Sequence, residues 1–320
     1  AELARARARL PMVARELLAN GVDAVEIARV LSFELRELVG RAAVLAERMM
    51  ERAGAGRPPV PYALLVLGSG GRGESLLAAE QDNALVYESD DPTGIIAGWF
   101  ARFGEHLARI IHESGVHYCA DGVMARNPAW RGSLDTWRDR LRDWSRYPDR
   151  AGTEHADLIF DGHLAYGNTD LDAEFRIVLG EETSSNRALA QVFAQPALVL
   201  DIPPDAETRV DLKRYGLLPV TAAARALAVR HGIAASSTPE RFAAACSAGV
   251  VTPTVRDRLD EVQSRLQGWL LRQQIDDLEA GRTPTKVVDT KDMPVIERQS
   301  LQCCFERIRE LPTVVRAGLS

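Results

Sequence analysis

One stretch of this sequence combines residue types that can bind a phosphate with residue types that can bind a metal ion. It runs from Tyr62 to Tyr87 and reads YALLVLGSGGRGESLLAAEQDNALVY. Its glycines, beginning with Gly68, let backbone amides approach a ligand closely. Ser69 stands where the chain turns towards a predicted short helix, whose first N–H groups can bind an anion. Arg72 adds a guanidinium suited to paired hydrogen bonds with a phosphate. Gly68, Ser69 and Arg72 are therefore the predicted phosphate cradle.

The glycine string alone does not identify the kind of site. It lacks the G-x-x-x-x-G-K-[ST] pattern of a P-loop. Gly68, Gly70 and Gly73 satisfy G-x-G-x-x-G, but a helix of only about five residues before Glu80 is too short for a Rossmann crossover. A plain glycine turn between a strand and a helix stays open as the structural alternative.

Two acidic residues follow the glycines closely enough to share one site with them. Residues 80–87 predict a strand, and because strand side chains alternate between faces, Glu80 and Asp82 point the same way, about 7 Å apart. Mg²⁺ (or Mn²⁺) is usually held by one or two carboxylates plus substrate phosphates. The alternative is an acidic strand end facing water, but the apolar Leu85 and Val86 predict a central strand, where unpaired carboxylates are costly.

The elements that must position these residues follow from hydrophobic pattern and helix caps. An apolar run at 64–67 predicts a strand buried on both faces. After the acidic strand, Asp90, Asp91 and Pro92 predict a helix start. The buried face of that helix is expected to consist of Ile95, Trp99, Phe103, Leu107 and Ile110. Residues 116–125 and 158–165 predict two further strands.

The order of these features resembles a known superfamily. Gly68-Ser69, Arg72 and an acidic pair on the next strand are similar to the nucleotidyltransferases that include DNA polymerase beta. More narrowly, LGSGGRGES and EQDNALVY resemble a bacterial family of predicted nucleotidyltransferases. That family is related to the N-terminal domain of the PII-protein uridylyltransferase and often follows CBS or cyclic-nucleotide-binding domains. The resemblance covers nearly the whole chain, through YCADGVMARNPAW, FDGHLAYGN, DLKRYGLLPV, ARALAVRHGI and STPERF.

The resemblance implies transfer of a nucleoside monophosphate from an NTP such as ATP, with a Mg²⁺ ion held by Glu80 and Asp82. The family usually has Asp at position 80, so the longer Glu80 is a departure that bears on metal geometry. By analogy with the uridylyltransferase, the acceptor is a protein and the setting is signal transduction, with a regulatory domain N-terminal to this fragment. The alternatives are a nucleotide-binding regulatory module with little turnover, and a helical interaction or dimerisation scaffold.

The superfamily also carries a third carboxylate on the strand after the long helix. Asp121 matches that position, where it would share a face with His117, Cys119 and Val123. Asp161 is the alternative, on the later strand beside Ile159 and His163. Either would act as a general base or a shared metal ligand. In the DLKRYG block, Lys213 is a candidate to reach the triphosphate, with a solvated lysine as the alternative reading.

Helical patterns flank the predicted catalytic region on both sides. Pro11 opens a short helix, and Asp23 is the expected N-cap of a long one. The long helix carries a heptad-like seam of Leu31, Leu35, Leu38, Ala42, Leu45 and Met49. Such a seam packs on the rest of the chain or on a second copy in a homodimer. A glycine- and proline-rich linker follows at 53–61.

The predicted fold class is α/β (α+β): a small mixed sheet of nucleotidyltransferase type with flanking helices. The expected segments are a helical one at 1–57, the catalytic domain at 58–170 and an all-helical bundle at 171–320. In the bundle, Pro219, Ser237, Thr252 and Pro294 mark helix starts, and a second seam runs from Val255 to Trp269.

Composition narrows the class of partner. The chain has 320 residues, of which 46% are hydrophobic and 26% are charged, and its formal net charge is −6. This acidic balance argues against duplex nucleic acid as the main ligand. Four cysteines without C-x-x-C spacing indicate reduced thiols and a cytoplasmic setting. No apolar run approaches the roughly 20 residues of a membrane helix, and a start at Ala1 without Met suggests an excised fragment.

Two sets of conspicuous side chains are interpreted as structural. Trp130, Trp137 and Trp144 recur every seven residues along a helix predicted at 133–146, which is typical of a packing stripe rather than a base-stacking platform. His112, His117 and His163 stand among apolar neighbours, as structural histidines usually do.

Overall fold

The computed structural model describes residues 2–89, 94–147, 156–184, 187–202, 208–291 and 293–320. The predicted helix start at residues 90–92 lies outside these ranges. The helices are α1 (Glu2–Arg7), α2 (Leu10–Ala19), α3 (Ala24–Arg52), α4 (Gly68–Arg72), α5 (Ile95–Glu113), α6 (Leu134–Arg146), α7 (Thr169–Ser184), α8 (Arg187–Phe193), α9 (Gln195–Leu198), α10 (Leu218–His231), α11 (Thr238–Ser247), α12 (Pro253–Glu279), α13 (Val295–Arg309) and α14 (Leu311–Leu319). The strands are β1 (Tyr62–Val66), β2 (Glu80–Gln81), β3 (Asn83–Tyr87), β4 (His117–Tyr118), β5 (Arg131–Ser133), β6 (His163–Gly167), β7 (Arg209–Asp211) and β8 (Val287–Asp289).

The chain divides into two compact units. The first comprises Ala1–Leu10, Val30–Ser75 and Ala79–Ser185, and the second comprises Pro11–Arg29, Leu76–Ala78 and Asn186–Ser320. Residues 11–29 and 76–78 therefore belong to the second unit, although the rest of that unit lies more than 100 positions later in the sequence. The division at 1–57, 58–170 and 171–320 stays a prediction about domains.

A four-stranded mixed sheet organises the first unit, in the order β5-β3-β1-β6. β1 is antiparallel to both β3 and β6, and β3 is parallel to β5. Every residue of β1 and β3 is buried. Leu64 and Val66 of β1 join a core with α3 and α5, while Ala63 and Leu65 join a core with α6 and α7. Both faces are therefore covered, which explains the continuous apolar run. The predicted fold class, a small mixed sheet with flanking helices, is confirmed.

Helix caps and the tryptophan stripe agree with the sequence patterns. Asp23 caps α3, because its Oδ1 accepts from the Val25 N–H at 2.8 Å. Ser237 and Glu240 form a complete capping box on α11. The three tryptophans pack on one another with ring centroids 6.1–6.3 Å apart. They therefore form the predicted packing stripe.

Several predicted strands are shorter than expected. The strand predicted at 80–87 breaks at Asp82, where the chain passes from β2, paired with β4, to β3 in the main sheet. The strand predicted at 116–125 keeps only residues 117–118, because a turn with Gly122 at φ +73° follows. Residues 156–161 form a 3-10 helix instead of the start of the strand predicted at 158–165. The Asn83 N–H donates to the Val123 carbonyl oxygen at 3.0 Å, which joins the first two of these segments outside the strand pairs.

The second unit is a helical bundle, but it is not all-helical as predicted. β7 and β8 pair antiparallel, with Val210 opposite Val288. The α12 seam residues Leu259, Val262 and Leu266 are buried in the core of this unit. No helix in the described ranges is both long and apolar enough to cross a membrane.

Gly68, Gly70 and Gly71 themselves lie within α4, whereas the sequence predicts a helix after the glycines. Gly73, at φ +77°, ends it in the left-handed region, and residues 74–79 are not helical. A Cβ at Gly71 would stand 2.0 Å from the Asp161 carbonyl oxygen and 2.6 Å from that of Val66. Glycine is needed here because α4 packs directly against backbone.

We expect Gly71→Ala to lower the free energy of unfolding of the first unit by about 3 kcal/mol or more, since the new methyl group must displace main chain. Gly98, in α5, has no atom within 4 Å of its Cβ position, and Gly98→Ala is the matched control. That exposed helical change should stabilise by about 0.5–1 kcal/mol. Thermal or denaturant unfolding measures both, and equal effects of the two changes would contradict the packing seen here.

Candidate functional site

The turn into α4 and the Asp82 carboxylate lie directly against each other. The Leu67 N–H donates to the Asp82 carbonyl oxygen at 2.9 Å, which ties the end of β1 to the break between β2 and β3. A Cβ at Gly68 would stand 3.1 Å from Asp82 Oδ2. Gly68 has φ +55°, a conformation that favours glycine. The predicted phosphate turn and one predicted metal ligand thus meet in space.

Burial alternates through the acidic segment. Glu80 and Asp82 are partly exposed, whereas Gln81 and Asn83 are buried. The Gln81 side chain donates to the carbonyl oxygens of Ala108 and Val116, both at 3.0 Å. The Asn83 side chain accepts from the Ala125 N–H at 2.9 Å. These amide side chains anchor the segment from behind and leave the two carboxylates on its less buried side.

Asp121 lies in an exposed turn rather than on a strand, so it does not share a strand face with Cys119 and Val123. The turn reaches Asp82 through Cys119, whose thiol hydrogen-bonds to the Asp82 carboxylate. The backbone N–H groups of Val123 and Asp121 point at the same sulfur. Burial, then the negative charge of Asp82, raises the pKa of Cys119 to about 11. The thiol therefore stays protonated at neutral pH and can donate to Asp82.

Arg72 has two carboxylate partners at the other side of α4. Its Nε donates to Glu74 Oε2 at 2.7 Å, and its Nη1 donates to Asp161 Oδ2 at 2.5 Å. Asp161 has no exposed surface and Glu74 is 8% exposed. Burial acts to lower the pKa of Arg72, but the two carboxylates outweigh it and hold the pKa above its ordinary value. This network fixes the end of α4 against the 3-10 helix at 156–161.

The roles of Lys213 and of a three-carboxylate metal set stay predictions. Lys213 belongs to the second unit, where it is exposed at the start of a π-helical turn, Lys213–Leu217. Within the described ranges, no three His, Cys, Asp or Glu side chains are grouped so that they could hold a metal ion. A ligand set of Glu80, Asp82 and Asp121 therefore stays a prediction. Asp82 lies beside the turn at Gly68 and Ser69, called the Gly68 turn, and Glu80 is two residues away. This arrangement fits a Mg²⁺ site in which two carboxylates bind the ion and substrate phosphates complete its coordination sphere.

Two residues of this site were missed from sequence. Glu74 follows Arg72 by two positions, but nothing in that spacing indicates a buried ion pair. The sequence pattern puts Cys119 beside Asp121 only as a strand neighbour, and its bond to Asp82 depends on the turn at 119–123. A lone cysteine carries no local signal of such a contact.

We expect Arg72→Met to destabilise the first unit by about 3–5 kcal/mol, because it leaves two buried carboxylates without their counter-charge. Unpaired buried carboxylates take up protons, so the loss should be smaller at pH 5 than at pH 8. Denaturant unfolding at the two pH values measures this. A control is Arg57→Met, after α3 in the same unit, because its carboxylate partner Glu51 is exposed and the loss of that pair should cost under about 1 kcal/mol.

We also expect Asp82→Asn to lower the pKa of Cys119, since the Asp82 carboxylate is one of the causes that raise it. Thiolate forms only as pH approaches the pKa, so alkylation of metal-free wild type at Cys119 should rise towards pH 11, and that rise should shift to lower pH in the variant. Mass spectrometry after iodoacetamide treatment follows the site. An unchanged pH profile would mean that Asp82 and Cys119 are not in contact.

Comparison with known families finds two matches in this chain. Residues 8–151 match the family described as "Putative nucleotidyltransferase DUF294". Residues 197–318 match the one described as "Putative nucleotidyltransferase substrate binding domain". None of the curated proteins compared with the chain matches it significantly. The first match contains Gly68, Asp82 and Asp121, and the second contains Lys213. Together the two matches support a nucleotidyltransferase family for this chain.

Proposed function

We propose that this protein transfers a nucleoside monophosphate from an NTP to an acceptor hydroxyl, with pyrophosphate as the leaving group. The observation that carries the proposal is the contact between the Gly68 turn and the Asp82 carboxylate, 3.1 Å from the Gly68 Cβ position. A phosphate chain on the turn would bring its bound cation next to that carboxylate. The family matches support the same class of reaction.

The phosphates would bind at the start of α4. The Gly71 N–H bonds back to Leu67 O at 3.1 Å, and Gly68 and Ser69 precede it in α4. Leading N–H groups of a helix have no partner within it, so they can face an anion. Ser69 is partly exposed and adds a hydroxyl. Arg72, already paired with Glu74 and Asp161, would hold this turn in place while its remaining N–H groups reach a phosphate.

Glu80 and Asp82 would hold Mg²⁺ or Mn²⁺, with phosphate oxygens completing the coordination. Bound there, the ion would neutralise charge on the phosphates and on the leaving pyrophosphate. The chain's own part is to keep Asp82 fixed: the Cys119 thiol bonds to its carboxylate, and its carbonyl oxygen accepts from Leu67.

In the transfer step the acceptor oxygen forms a bond to the α-phosphorus while the bond to the bridging oxygen breaks. The proton of the acceptor hydroxyl passes to a carboxylate, for which Asp121 is our candidate. Asp121 is exposed, whereas Asp161 is fully buried and paired with Arg72, so its charge is already balanced. The rate would come mainly from positioning and charge neutralisation.

The acceptor and the setting are proposed by analogy. The resemblance to the family related to the PII-protein uridylyltransferase suggests a protein acceptor in signal transduction in the cytoplasm, with a regulatory domain such as CBS preceding this segment. Lys213 would contribute from the substrate-binding region, towards the triphosphate or an acidic acceptor. The seam residues Leu35, Leu38 and Ala42 pack in the core of the first unit, so they do not provide a surface for a second copy. A homodimer therefore stays a prediction.

A second candidate is a nucleotide-binding regulatory module without turnover. Two features favour it: Glu80, where the family that the sequence resembles usually has Asp, and the lack of a grouped three-residue metal set among the described side chains. Calorimetry with ATP and UTP, with and without Mg²⁺, combined with pyrophosphate release, separates the two. Metal-dependent binding without release would favour the regulatory module.

For the transferase we expect Asp82→Asn to reduce NTP-dependent pyrophosphate release at least roughly 100-fold, since it removes a charged ligand from the reaction centre. Thermal stability should change little, because the amide is isosteric. Asp139 on α6 is exposed, and Asp139→Asn is the matched control. Pyrophosphate release is measured in Mg²⁺ with cell extract as a source of acceptor. Activity of Asp82→Asn equal to that of Asp139→Asn would refute the assignment.

A further inference from the structure

The long helix α3 bonds directly to the glycine helix α4, far from it in sequence. Arg36 Nη1 donates to the Gly70 carbonyl oxygen at 2.8 Å. One turn earlier on α3, Ser32 Oγ accepts from the Ser75 N–H at 2.8 Å, and Ser32 has no exposed surface. Residues four apart lie on one face of a helix. One face of α3 therefore holds both the middle of α4 and the chain just after it.

The contact is close as well as polar. A Cβ at Gly70 would stand 3.0 Å from Leu35 Cδ2 and 2.7 Å from Val66 Cγ1. α4 is thus enclosed between α3 and the end of β1, with no room for a side chain at Gly70. A shift of α3 would have to move α4 or open a gap beside it.

α4 cannot hold its own geometry. It has five residues, three of them glycine, and no side-chain cap at Leu67. A single helical turn is unstable in water, and glycine loses the most conformational entropy on folding. Its shape must come from its neighbours, which are the Arg72 carboxylate network on one side and α3 on the other.

α3 is in turn anchored to the sheet. A Cβ at Gly40 would stand 2.7 Å from the Ala165 carbonyl oxygen, and Glu47 Oε1 accepts from the Tyr62 hydroxyl at 2.6 Å. These contacts set the height of α3 along β1 and β6. The position of α3 is therefore defined relative to the same strand that delivers Gly68 and Ser69.

We infer that Arg36 and Ser32 are positioning residues that hold the glycine helix in its ligand-binding form, so that α3 sets the affinity of this site for the NTP phosphates. The inference rests on the proposed function. Neither side chain need touch the nucleotide. Their hydrogen bonds fix the turn at Gly68 and Ser69, whose N–H groups would contact the phosphates. Because the phosphates are bound in both the ground state and the transition state, this turn would bind both states alike.

Steady-state pyrophosphate release as a function of NTP concentration tests the inference. Arg36→Met should raise KM about tenfold or more and leave kcat within about threefold, the pattern of lost uniform binding. Arg36→Lys keeps one donor and should recover part of the affinity. Arg48→Met, an exposed change on the same helix, should alter neither constant. Ser32→Ala should raise KM in the same direction as Arg36→Met.

A variant that melts at lower temperature but keeps KM within twofold of wild type would overturn the inference, because α3 would then only stabilise the unit. If wild type releases no pyrophosphate from any NTP, the proposed function fails. Amide hydrogen exchange then tests the positioning role of Arg36 separately. Amides of residues 71–75 should then exchange faster in Arg36→Met than in Arg48→Met without nucleotide. Equal exchange would overturn the positioning role.

Discussion

A buried guanidinium between two carboxylates holds together the part of the molecule where chemistry is proposed. Arg72 ends a five-residue helix made largely of glycine, and its bonds to Glu74 and Asp161 attach that helix to the next loop and to the 3-10 helix at 156–161. A buried pair of this kind costs desolvation energy and is weak evidence of stability on its own. Here it supplies the fixed geometry that glycine cannot provide.

The other constraint is the interrupted strand at Asp82. Because β2 pairs with β4 and β3 pairs with β1, the chain changes sheets at this residue. Its carbonyl oxygen accepts from Leu67, and its side chain lies between Gly68 and Cys119. A continuous strand would have kept Asp82 in the ladder, whereas the break lets one residue join the glycine turn, the acidic segment and the turn carrying Asp121.

Helices were the most predictable part of the fold, and short strands the least. Asp23, Ser237 and Thr252 act as caps where the sequence indicated them, because a cap depends on a few adjacent residues. The strand predicted at 116–125 failed beyond Tyr118, and the one predicted at 158–165 begins only at His163. A turn at Gly122 and the pairing of Asp161 with Arg72 override the local apolar pattern there.

By itself the sequence determined the class of the molecule: residue types for a phosphate turn and a carboxylate pair within 20 or so residues, on a buried strand, between helices with readable caps. Those features are local, so spacing alone reveals them. The tertiary structure decided that Gly70 and Gly71 serve packing, that Asp161 is paired with Arg72, that Cys119 contacts Asp82, and that Arg36 reaches Gly70. Each of these contacts joins residues distant in the chain or on different elements, and only the folded chain brings them within bonding distance.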